Sequence, residues 1–346
     1  MNKFIKFGVV GCGHIGKRHA NMIQQGNETE LVAICDVLSR EKLELTDDFA
    51  QVPLYTNIEE LLDEHNYIDV VCICTPNAFH VEQALKVLDA KKHVVIEKPM
   101  GLSSTDCESI IYKALNVSKQ VFCVMQNRYS PPAKWLKSIL NDQKLGEIFM
   151  VQVNCYWNRD DRYYFPNGKR HDWHGSKKLD GGTLFTQFSH FIDILYWLFG
   201  DIVDIQAKFS DFNHSESTDF EDSGFVNFRF VSGGLGCLNF STAVWESNFE
   251  SSITILGSKG TIKIGGQYMD KVENCHISGY ELPELEPSNP ANDYGGYKGS
   301  ANNHGSVFEN VVDVLKGRKE ITTNALEGLK VVDIIERIYK AGNGSK

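Results

Sequence analysis

Hydrophobic residues in the first 125 positions fall into short runs that lack polar alternation. Five such runs, rich in Val, Ile and Cys, lie at residues 4–10, 31–35, 69–74, 93–96 and 121–125. Strands that are buried on both faces of a sheet have this pattern. Amphipathic stretches at 58–64, 81–88 and 107–115 lie between runs and predict helices. This alternation of strands and helices predicts an α/β fold with a parallel, doubly wound sheet.

The hydrophobic pattern changes after Gln126. A helix with prolines at its start is predicted over 131–140. Strand patterns follow at 148–156, 202–209, 224–230, 235–240, 252–256 and 261–264, with a helix over 183–199 and two more at 306–315 and 325–339. Apolar and polar residues alternate in these strands, which is typical of antiparallel or mixed sheets. We therefore predict a first domain over 1–127 and an α+β domain over 128–346, built on an open, mainly antiparallel sheet.

A glycine motif follows the first predicted strand. Gly11, Gly13 and Gly16 form G-x-G-x-x-G, with His14 and Ile15 inside it, and a predicted helix begins there. In a Rossmann fold the first glycine permits a turn, the second lets the backbone approach a pyrophosphate, and the third allows close helix packing. The helix N-terminus favours the anion. The motif therefore predicts a Rossmann domain that binds a dinucleotide, the alternative being a glycine turn without a ligand.

The identity of the dinucleotide depends on Asp36, which ends the next predicted strand. It stands twenty residues after Gly16. A carboxylate at this place accepts hydrogen bonds from the adenosine ribose hydroxyls and repels a 2′-phosphate, so it predicts NAD rather than NADP. Arg40 follows four residues later and would weaken this preference.

Polar residues also follow other predicted strands of the first domain. Ligands of parallel sheets bind where the strands end, at the carboxyl edge. Residues 75–80 follow the run 69–74, and residues 97–99 follow the run 93–96. We therefore predict cofactor contacts from Thr75, Asn77, His80, Glu97, Lys98 and Gln126 in addition to the glycine motif and Asp36.

Lys98 and His190 are the predicted catalytic residues. The Lys98 ammonium is suited to donate to, or shuttle a proton from, a hydroxyl that is being oxidised. His190 lies on the predicted helix 183–199, three residues after Gln187, and is suited to accept a proton near neutral pH. The alternatives are structural: an ion pair of Lys98 with Glu97, and a core histidine bonded to Asp193.

Residues 158–178 are basic and aromatic in a chain whose formal net charge is −10. A solvated charged loop is one explanation. The other is a loop that folds over a ligand, with Arg159 contacting phosphate or carboxylate. If that contact is exposed, salt will weaken substrate binding. The predicted substrate contacts are Lys98, Asn127, Trp157, Arg159, Tyr163, Gln187 and His190.

The overall composition excludes several classes of partner. An acidic chain is a poor match for nucleic acid, which needs a basic face. No apolar run approaches the roughly 20 residues that span a bilayer, so we expect no membrane partner. The first residues lead directly into a strand, which leaves no room for a signal peptide and predicts a cytoplasmic protein. Among nine cysteines there is no C-x-x-C pair, so no metal site is predicted.

Together these residues resemble the glucose-fructose oxidoreductase / inositol dehydrogenase / MocA family. The resemblance covers the whole chain through residues 11–16, 74–80, 97–99 and 327–328. It implies an NAD-dependent dehydrogenase acting on a sugar alcohol, with Lys98 beside nicotinamide and substrate and His190 completing the site. It also implies a homo-dimer or homo-tetramer formed through the open sheet of the second domain.

Residues 181–193, with aromatic residues at 156–157, 163–164 and 173, resemble a narrower group in this family. These are bacterial UDP-N-acetyl-2-amino-2-deoxyglucuronate 3-dehydrogenases, which serve the synthesis of surface polysaccharides such as lipopolysaccharide. The resemblance implies oxidation of UDP-N-acetylglucosaminuronate at C3. The narrower group usually has Asn at the place of Thr186 and Arg at the place of His174, while inositol dehydrogenase-like members have Asp at the former.

Three other functions stay open at this point. The chain could be another sugar or inositol dehydrogenase of the family, or an enzyme that uses transient 3-oxidation to cleave a glycoside. It could also be a non-catalytic sensor of NAD(H). The presence of both Lys98 and His190 weighs against the sensor.

Overall fold

The structure, a computed structural model, describes residues 4–343. It divides into two compact units: residues up to Met125 together with His304–Val332, and Gln126–Asn303 together with the residues from Asp333. The chain thus returns to the first unit near its end, where the ring of Phe308 lies 5.9 Å from that of Phe7. The division into contiguous domains, 1–127 and 128–346, stays a prediction.

The first unit contains a six-stranded parallel sheet in the order β3-β2-β1-β4-β5-β6. Each pair of neighbouring strands is parallel, which confirms the predicted Rossmann-type sheet. The two-residue strand β3 was not predicted. The elements are β1 Ile5–Val10, α1 His14–Gln25, β2 Thr29–Cys35, β3 Leu54–Tyr55, α2 Ile58–Glu64, β4 Val70–Ile73, α3 His80–Asp89, β5 His93–Ile96, α4 Ser104–Val117 and β6 Val121–Cys123.

The second unit is built on a seven-stranded sheet in the order β13-β12-β11-β7-β10-β9-β8. Only the β7–β10 pair is parallel, so the predicted mainly antiparallel sheet is confirmed. The elements are α5 Pro131–Asn141, β7 Ile148–Tyr156, α6 Asp161–Tyr164, α7 Lys177–Asp180, α8 Thr183–Thr186, α9 Ser189–Phe199, β8 Ile202–Ser210, β9 Ser223–Phe230, β10 Leu235–Ser241, β11 Glu250–Gly257, β12 Gly260–Gly265, β13 Lys271–Ile277, β14 Ala291–Asp293 and β15 Lys298–Ala301.

Two helices complete the chain. Helix α10, His304–Leu315, belongs to the first unit, and α11, Ala325–Asn343, runs from the first unit into the second. No helix of the described part of the chain is both long and apolar enough to cross a membrane.

The predicted continuous helix 183–199 is wrong, because the chain forms two helices, α8 and α9, separated at Gln187 and Phe188. The backbone of Phe188 is not helical, with φ −113° and ψ 6°. Its ring is fully buried against Trp157 and Phe240, at centroid distances of 5.4 and 5.7 Å. Packing of this ring offsets the loss of helical hydrogen bonds, and the break places Gln187 at the end of α8 rather than within a helix.

Candidate cofactor and substrate sites

The three glycines of the motif differ in the space around them. Gly11 has φ +83°, and a Cβ atom there would lie 2.8 Å from the carbonyl of Cys74. A Cβ atom on Gly16 would lie 1.8 Å from the carbonyl oxygen of Gly11, so helix and turn pack too closely for any side chain. At Gly13 a Cβ atom would meet no described atom within 4 Å. This open side fits a backbone that a pyrophosphate approaches.

Asp36 directly follows β2, beside the glycine turn. One carboxylate oxygen accepts the main-chain N–H of Cys12 at 2.6 Å, and the other accepts that of Leu38 at 2.9 Å. These bonds hold a half-buried carboxylate next to the start of α1, where His14 and Ile15 form the first turn. The position fits the predicted contact with the adenosine ribose of NAD.

Arg40 was expected to weaken the preference for NAD. In the structure its guanidinium donates to the main-chain carbonyl of Phe49 at 2.8 Å and to that of Val52. Two of its N–H groups are thus used within the protein, and that Asp36 sets the preference for NAD stays a prediction.

His80 joins the two loops that follow β4 and β5. Its Nδ1 lies 2.7 Å from the carbonyl of Pro99 and its Nε2 lies 2.8 Å from the carbonyl of Thr75. Burial lowers the pKa of His80, although both carbonyls act in the opposite direction. Because both ring nitrogens contact main-chain carbonyls, His80 fits a role in holding these two loops together. Asn77, in the loop after β4, is buried.

Glu97 is buried at the end of β5. Its Oε1 lies 2.9 Å from Nε2 of His19 and 3.6 Å from Nε2 of His304, and its Oε2 accepts the main-chain N–H of Lys98 at 3.1 Å. Burial raises the pKa of Glu97, but the two imidazoles outweigh this and hold it well below its usual range. The carboxylate that precedes the predicted catalytic lysine is therefore an anion between two histidines.

The predicted catalytic residues lie in different units. Lys98 is half-buried after β5 in the first unit, and His190 is buried in the first turn of α9 in the second. Asp193, the suggested structural partner of His190, forms a bidentate pair with Arg128 at 2.6 and 2.9 Å. Both oxygens of Asp193 thus accept from a guanidinium.

Four predicted substrate residues contact one another in the second unit. The Nε–H of Arg159 donates to Oε1 of Gln187 at 2.7 Å, and Nε2 of Gln187 donates to the hydroxyl of Tyr163 at 2.9 Å. The guanidinium carbon of Arg159 lies 4.8 Å from the ring centre of Trp157 and 5.3 Å from that of Tyr163. These residues form the Arg159 cluster.

The charge of Arg159 has no counter-ion within residues 4–343. Its Nη1 donates to the carbonyl of Asn158 at 2.6 Å and to Oδ1 of Asn248 at 3.3 Å, both of them neutral acceptors. Only 2% of its surface is exposed, and burial lowers its pKa. Salt was expected to weaken substrate binding if this contact is exposed. That condition is not met at Arg159, and buried charges are screened much less than exposed ones.

Gln126 and Asn127 begin the second unit and are both buried. Oε1 of Gln126 and Nδ2 of Asn127 find no hydrogen-bond partner among the residues that the structure describes, while Oδ1 of Asn127 accepts from Ser300. An unsatisfied buried polar group costs about 1–3 kcal/mol, so a ligand that supplied both partners would be stabilised here.

Within residues 4–343, two groups of three side chains bring ligand-type atoms within 4.8 Å of one another: His19, Glu97 and His304, and Asp211, His214 and Asp222. In the first group His19 is already hydrogen-bonded to Glu97. In the second, both ring nitrogens of His214 already contact oxygen atoms, of Asp222 and of the Arg159 main chain. The absence of a metal site stays a prediction.

Two family profiles match the chain. The first, described as "Oxidoreductase family, NAD-binding Rossmann fold", matches residues 5–125, and the second, "GFO/IDH/MocA C-terminal domain", matches residues 134–263. The WlbA dehydrogenase from Bordetella pertussis, solved in complex with NADH and UDP-GlcNAcA, is 30% identical, with a TM-score of 0.86 over 99% of this chain and 98% of that chain. The chain belongs to the GFO/IDH/MocA family. It is thus an oxidoreductase that uses NAD.

Two other dehydrogenases are similar to the chain at lower identity. The WlbA dehydrogenase from Chromobacterium violaceum, also solved with NADH and UDP-GlcNAcA, is 27% identical, with a TM-score of 0.87 over 99% of this chain and 95% of that chain. A myo-inositol 2-dehydrogenase from Thermotoga maritima is 27% identical over 75% of this chain and 74% of its own length.

Several residues that contribute to these sites were not predicted from the sequence. Asn248 accepts from Arg159, Tyr297 places its ring 5.1 Å from the same guanidinium, and His214 contacts the Arg159 carbonyl. They lie on loops remote in sequence, and no periodic pattern marks them. The pairing of Glu97 with His304 was missed for the same reason.

Proposed function

We propose that this chain catalyses the NAD-dependent oxidation of an anionic nucleotide sugar, at C3 of a UDP-linked N-acetylglucosaminuronate. The observation that carries the proposal is the buried guanidinium of Arg159, which has only neutral acceptors among the described residues. A buried unpaired charge is costly, and a carboxylate or phosphate that binds a guanidinium in bidentate fashion relieves that cost. A neutral sugar would not.

Similarity to WlbA supports this choice of substrate. Both WlbA dehydrogenases were solved with UDP-GlcNAcA, which carries a carboxylate and a diphosphate. The guanidinium carbon of Arg159 lies 4.8, 5.3 and 5.1 Å from the ring centres of Trp157, Tyr163 and Tyr297. A reaction on this substrate would serve nucleotide-sugar synthesis for surface polysaccharides.

The chain's residues are assigned these roles in the reaction. Gly13 and the N-terminus of α1 hold the pyrophosphate of NAD, and Asp36 holds the adenosine ribose. When bound, NAD supplies the acceptor for a hydride from the sugar carbon. His190 takes the hydroxyl proton as general base, and the ammonium of Lys98 stabilises the negative charge that develops on the same oxygen.

A second candidate is the oxidation of a neutral sugar or an inositol. It is favoured by the similarity to myo-inositol 2-dehydrogenase, at 27% identity. On this alternative Arg159 would have a structural role and its guanidinium would keep only neutral partners.

A panel of substrates with NAD, followed at the absorbance of NADH, separates the two candidates. UDP-GlcNAcA and UDP-GlcNAc form a matched pair because they differ only at C6, as carboxylate or hydroxymethyl. We expect UDP-GlcNAcA to be the better substrate, and Arg159→Ala to raise its KM at least tenfold while leaving a neutral substrate unaffected. Lys169→Ala, in an exposed part of the same segment, is the control. Faster turnover of myo-inositol or glucose would refute the anionic substrate.

We also propose that the chain forms a homo-dimer or homo-tetramer through the outer face of the second unit's sheet. Met150, Phe225 and Leu235 lie on one face in neighbouring strands and are 47%, 64% and 54% exposed. Large exposed apolar patches mark interaction surfaces. Sedimentation of wild-type protein and of Phe225→Asp tests this proposal, and a monomeric wild-type protein would refute it.

A further inference from the structure

His214 directs both of its ring nitrogens at acceptors. Nδ1 lies 3.0 Å from Oδ2 of Asp222, and Nε2 contacts the main-chain carbonyl of Arg159. A neutral imidazole has a single N–H and can donate to only one of them, whereas an imidazolium donates to both. The ring is 3% exposed, so water cannot readily replace a lost partner. Since one of the two acceptors is the carboxylate of Asp222, the geometry fits the charged form of His214, whereas His80 faces two neutral carbonyls.

The groups that face His214 favour this charge. Asp222 accepts from His214, from Ser223 at 2.7 Å and from two main-chain N–H groups at 2.8 and 3.0 Å. Asp211 accepts the main-chain N–H of His214 at 2.8 Å, and the ring of Tyr164 packs edge-on at 5.5 Å. Burial lowers the pKa of His214, but the bonds to Asp222 and to the Arg159 carbonyl, with the nearby carboxylates, raise it above its ordinary value.

His214 forms one of the two hydrogen bonds that hold the main chain of Arg159. The main-chain N–H of Arg159 donates to the carbonyl of Thr242 at 2.9 Å, and its carbonyl accepts from His214. The side chain is held independently by Gln187 and Asn248. Loss of one His214 proton would leave either Asp222 or the Arg159 carbonyl facing a nitrogen lone pair, which is repulsive.

We propose that His214 is a positioning residue, whose imidazolium holds the main chain of Arg159 so that the guanidinium meets the anionic group of the substrate. The inference rests on the proposed function, in which Arg159 binds that group. Deprotonation of His214 weakens substrate binding and leaves the chemical step unchanged.

The direction of the pH dependence follows from the raised pKa of His214. A contact made by the protonated form is complete below that pKa and is lost as the pH rises through it. Asp222, whose pKa is held at about 2, stays ionised throughout this range. Arg159 keeps its charge, and burial holds the pKa of Tyr164 above its ordinary value. We therefore expect KM for UDP-GlcNAcA to rise on the alkaline side while KM for NAD does not.

A double-mutant cycle with UDP-GlcNAcA tests the inference through KM and kcat. His214→Gln retains a polar side chain but cannot carry the charge. We expect it to raise KM about fivefold or more, with kcat within twofold and a KM independent of alkaline pH, and to have no further effect in an Arg159→Ala background. His276→Gln, an exposed histidine on β13, is the matched control. In a separate measurement, the NMR chemical shifts of the ring nitrogens in wild-type protein labelled with ¹⁵N-histidine report the charge of His214.

The outcomes distinguish this inference from the proposed function. An unchanged KM in Arg159→Ala refutes the proposed function. A raised KM in Arg159→Ala, with a His214→Gln variant that is folded and unaffected, refutes the inference alone. An equal effect of His214→Gln with and without Arg159 also refutes it, as does a spectrum in which the His214 ring titrates no higher than the ordinary value for histidine, which needs no variant.

Discussion

Gly13 and Gly16 offer a matched pair of substitutions, because the same added methyl group meets different surroundings. A Cβ atom on Gly16 lies 1.8 Å from the Gly11 carbonyl oxygen, whereas one on Gly13 meets nothing within 4 Å in the described chain. Gly13 has φ −68°, outside the left-handed region that favours glycine. We therefore expect Gly16→Ala to damage the fold and Gly13→Ala to damage NAD binding alone.

The sizes of the two effects follow from these contacts. Overpacking typically costs about 1–3 kcal/mol, and the overlap at Gly16 with main chain rather than a movable side chain places it at the upper end. At about 2–4 °C per kcal/mol, the melting temperature should fall by up to roughly 12 °C. If the Gly13 methyl displaces one charge-assisted hydrogen bond to the pyrophosphate, the loss of about 1.5–3 kcal/mol raises Kd for NAD at least about tenfold.

Melting temperature and calorimetric titration with NADH measure the two effects separately. The expected result is a Gly13→Ala protein with unchanged melting temperature and weak NADH binding, and a Gly16→Ala protein with a reduced melting temperature. Wild-type affinity for NADH in Gly13→Ala would contradict the assignment of this turn to the pyrophosphate. A Gly16→Ala protein of undiminished stability would contradict the packing argument.

Three further predictions concern single side chains. Asp36→Asn, which loses the charge and keeps an oxygen for one of the two main-chain N–H groups that Asp36 binds, should lower the ratio of kcat/KM for NAD over NADP at least about tenfold, and an unchanged ratio would remove Asp36 from the ribose site. Lys98→Ala and His190→Ala should each fold and bind NAD yet lose about a hundredfold in kcat. Near-normal turnover in either variant would show that the replaced residue has no catalytic role. Asp193→Ala should lower the free energy of unfolding by about 3–5 kcal/mol, measured in urea, because it breaks a buried pair with Arg128; an unchanged midpoint would show that the pair is not needed.

The parts of the fold that depend on local patterns were predictable. The buried strands around the glycine motif read as continuous apolar runs, and β5 and β7 begin and end at the predicted residues. The short strand β3 has only two residues, too few for a periodic signal. The break between α8 and α9 carries no proline or glycine. It follows from the packing of Phe188 on residues distant in the chain, which local sequence does not reveal.

The candidate sites were predictable only in part, for a related reason. Arg159 and Gln187 attract notice because charged and amide groups stand among aromatic and apolar residues. Their contact was not predicted, since it joins positions 28 residues apart across a loop. Asn248 and His214 lie 89 and 55 residues from Arg159, and their roles depend on how loops of the second unit pack. The burial of Arg159 was missed because a basic segment in an acidic chain is usually exposed.

The most direct test of the proposed reaction is to follow the hydrogen at C3 of the sugar. UDP-GlcNAcA labelled with deuterium at C3 would be incubated with the enzyme and NAD, and both products examined by mass spectrometry. Oxidation at C3 predicts that the deuterium moves to the nicotinamide ring and that the sugar product carries a C3 ketone without the label. Deuterium retained in the sugar, with or without formation of NADH, would contradict oxidation at this carbon.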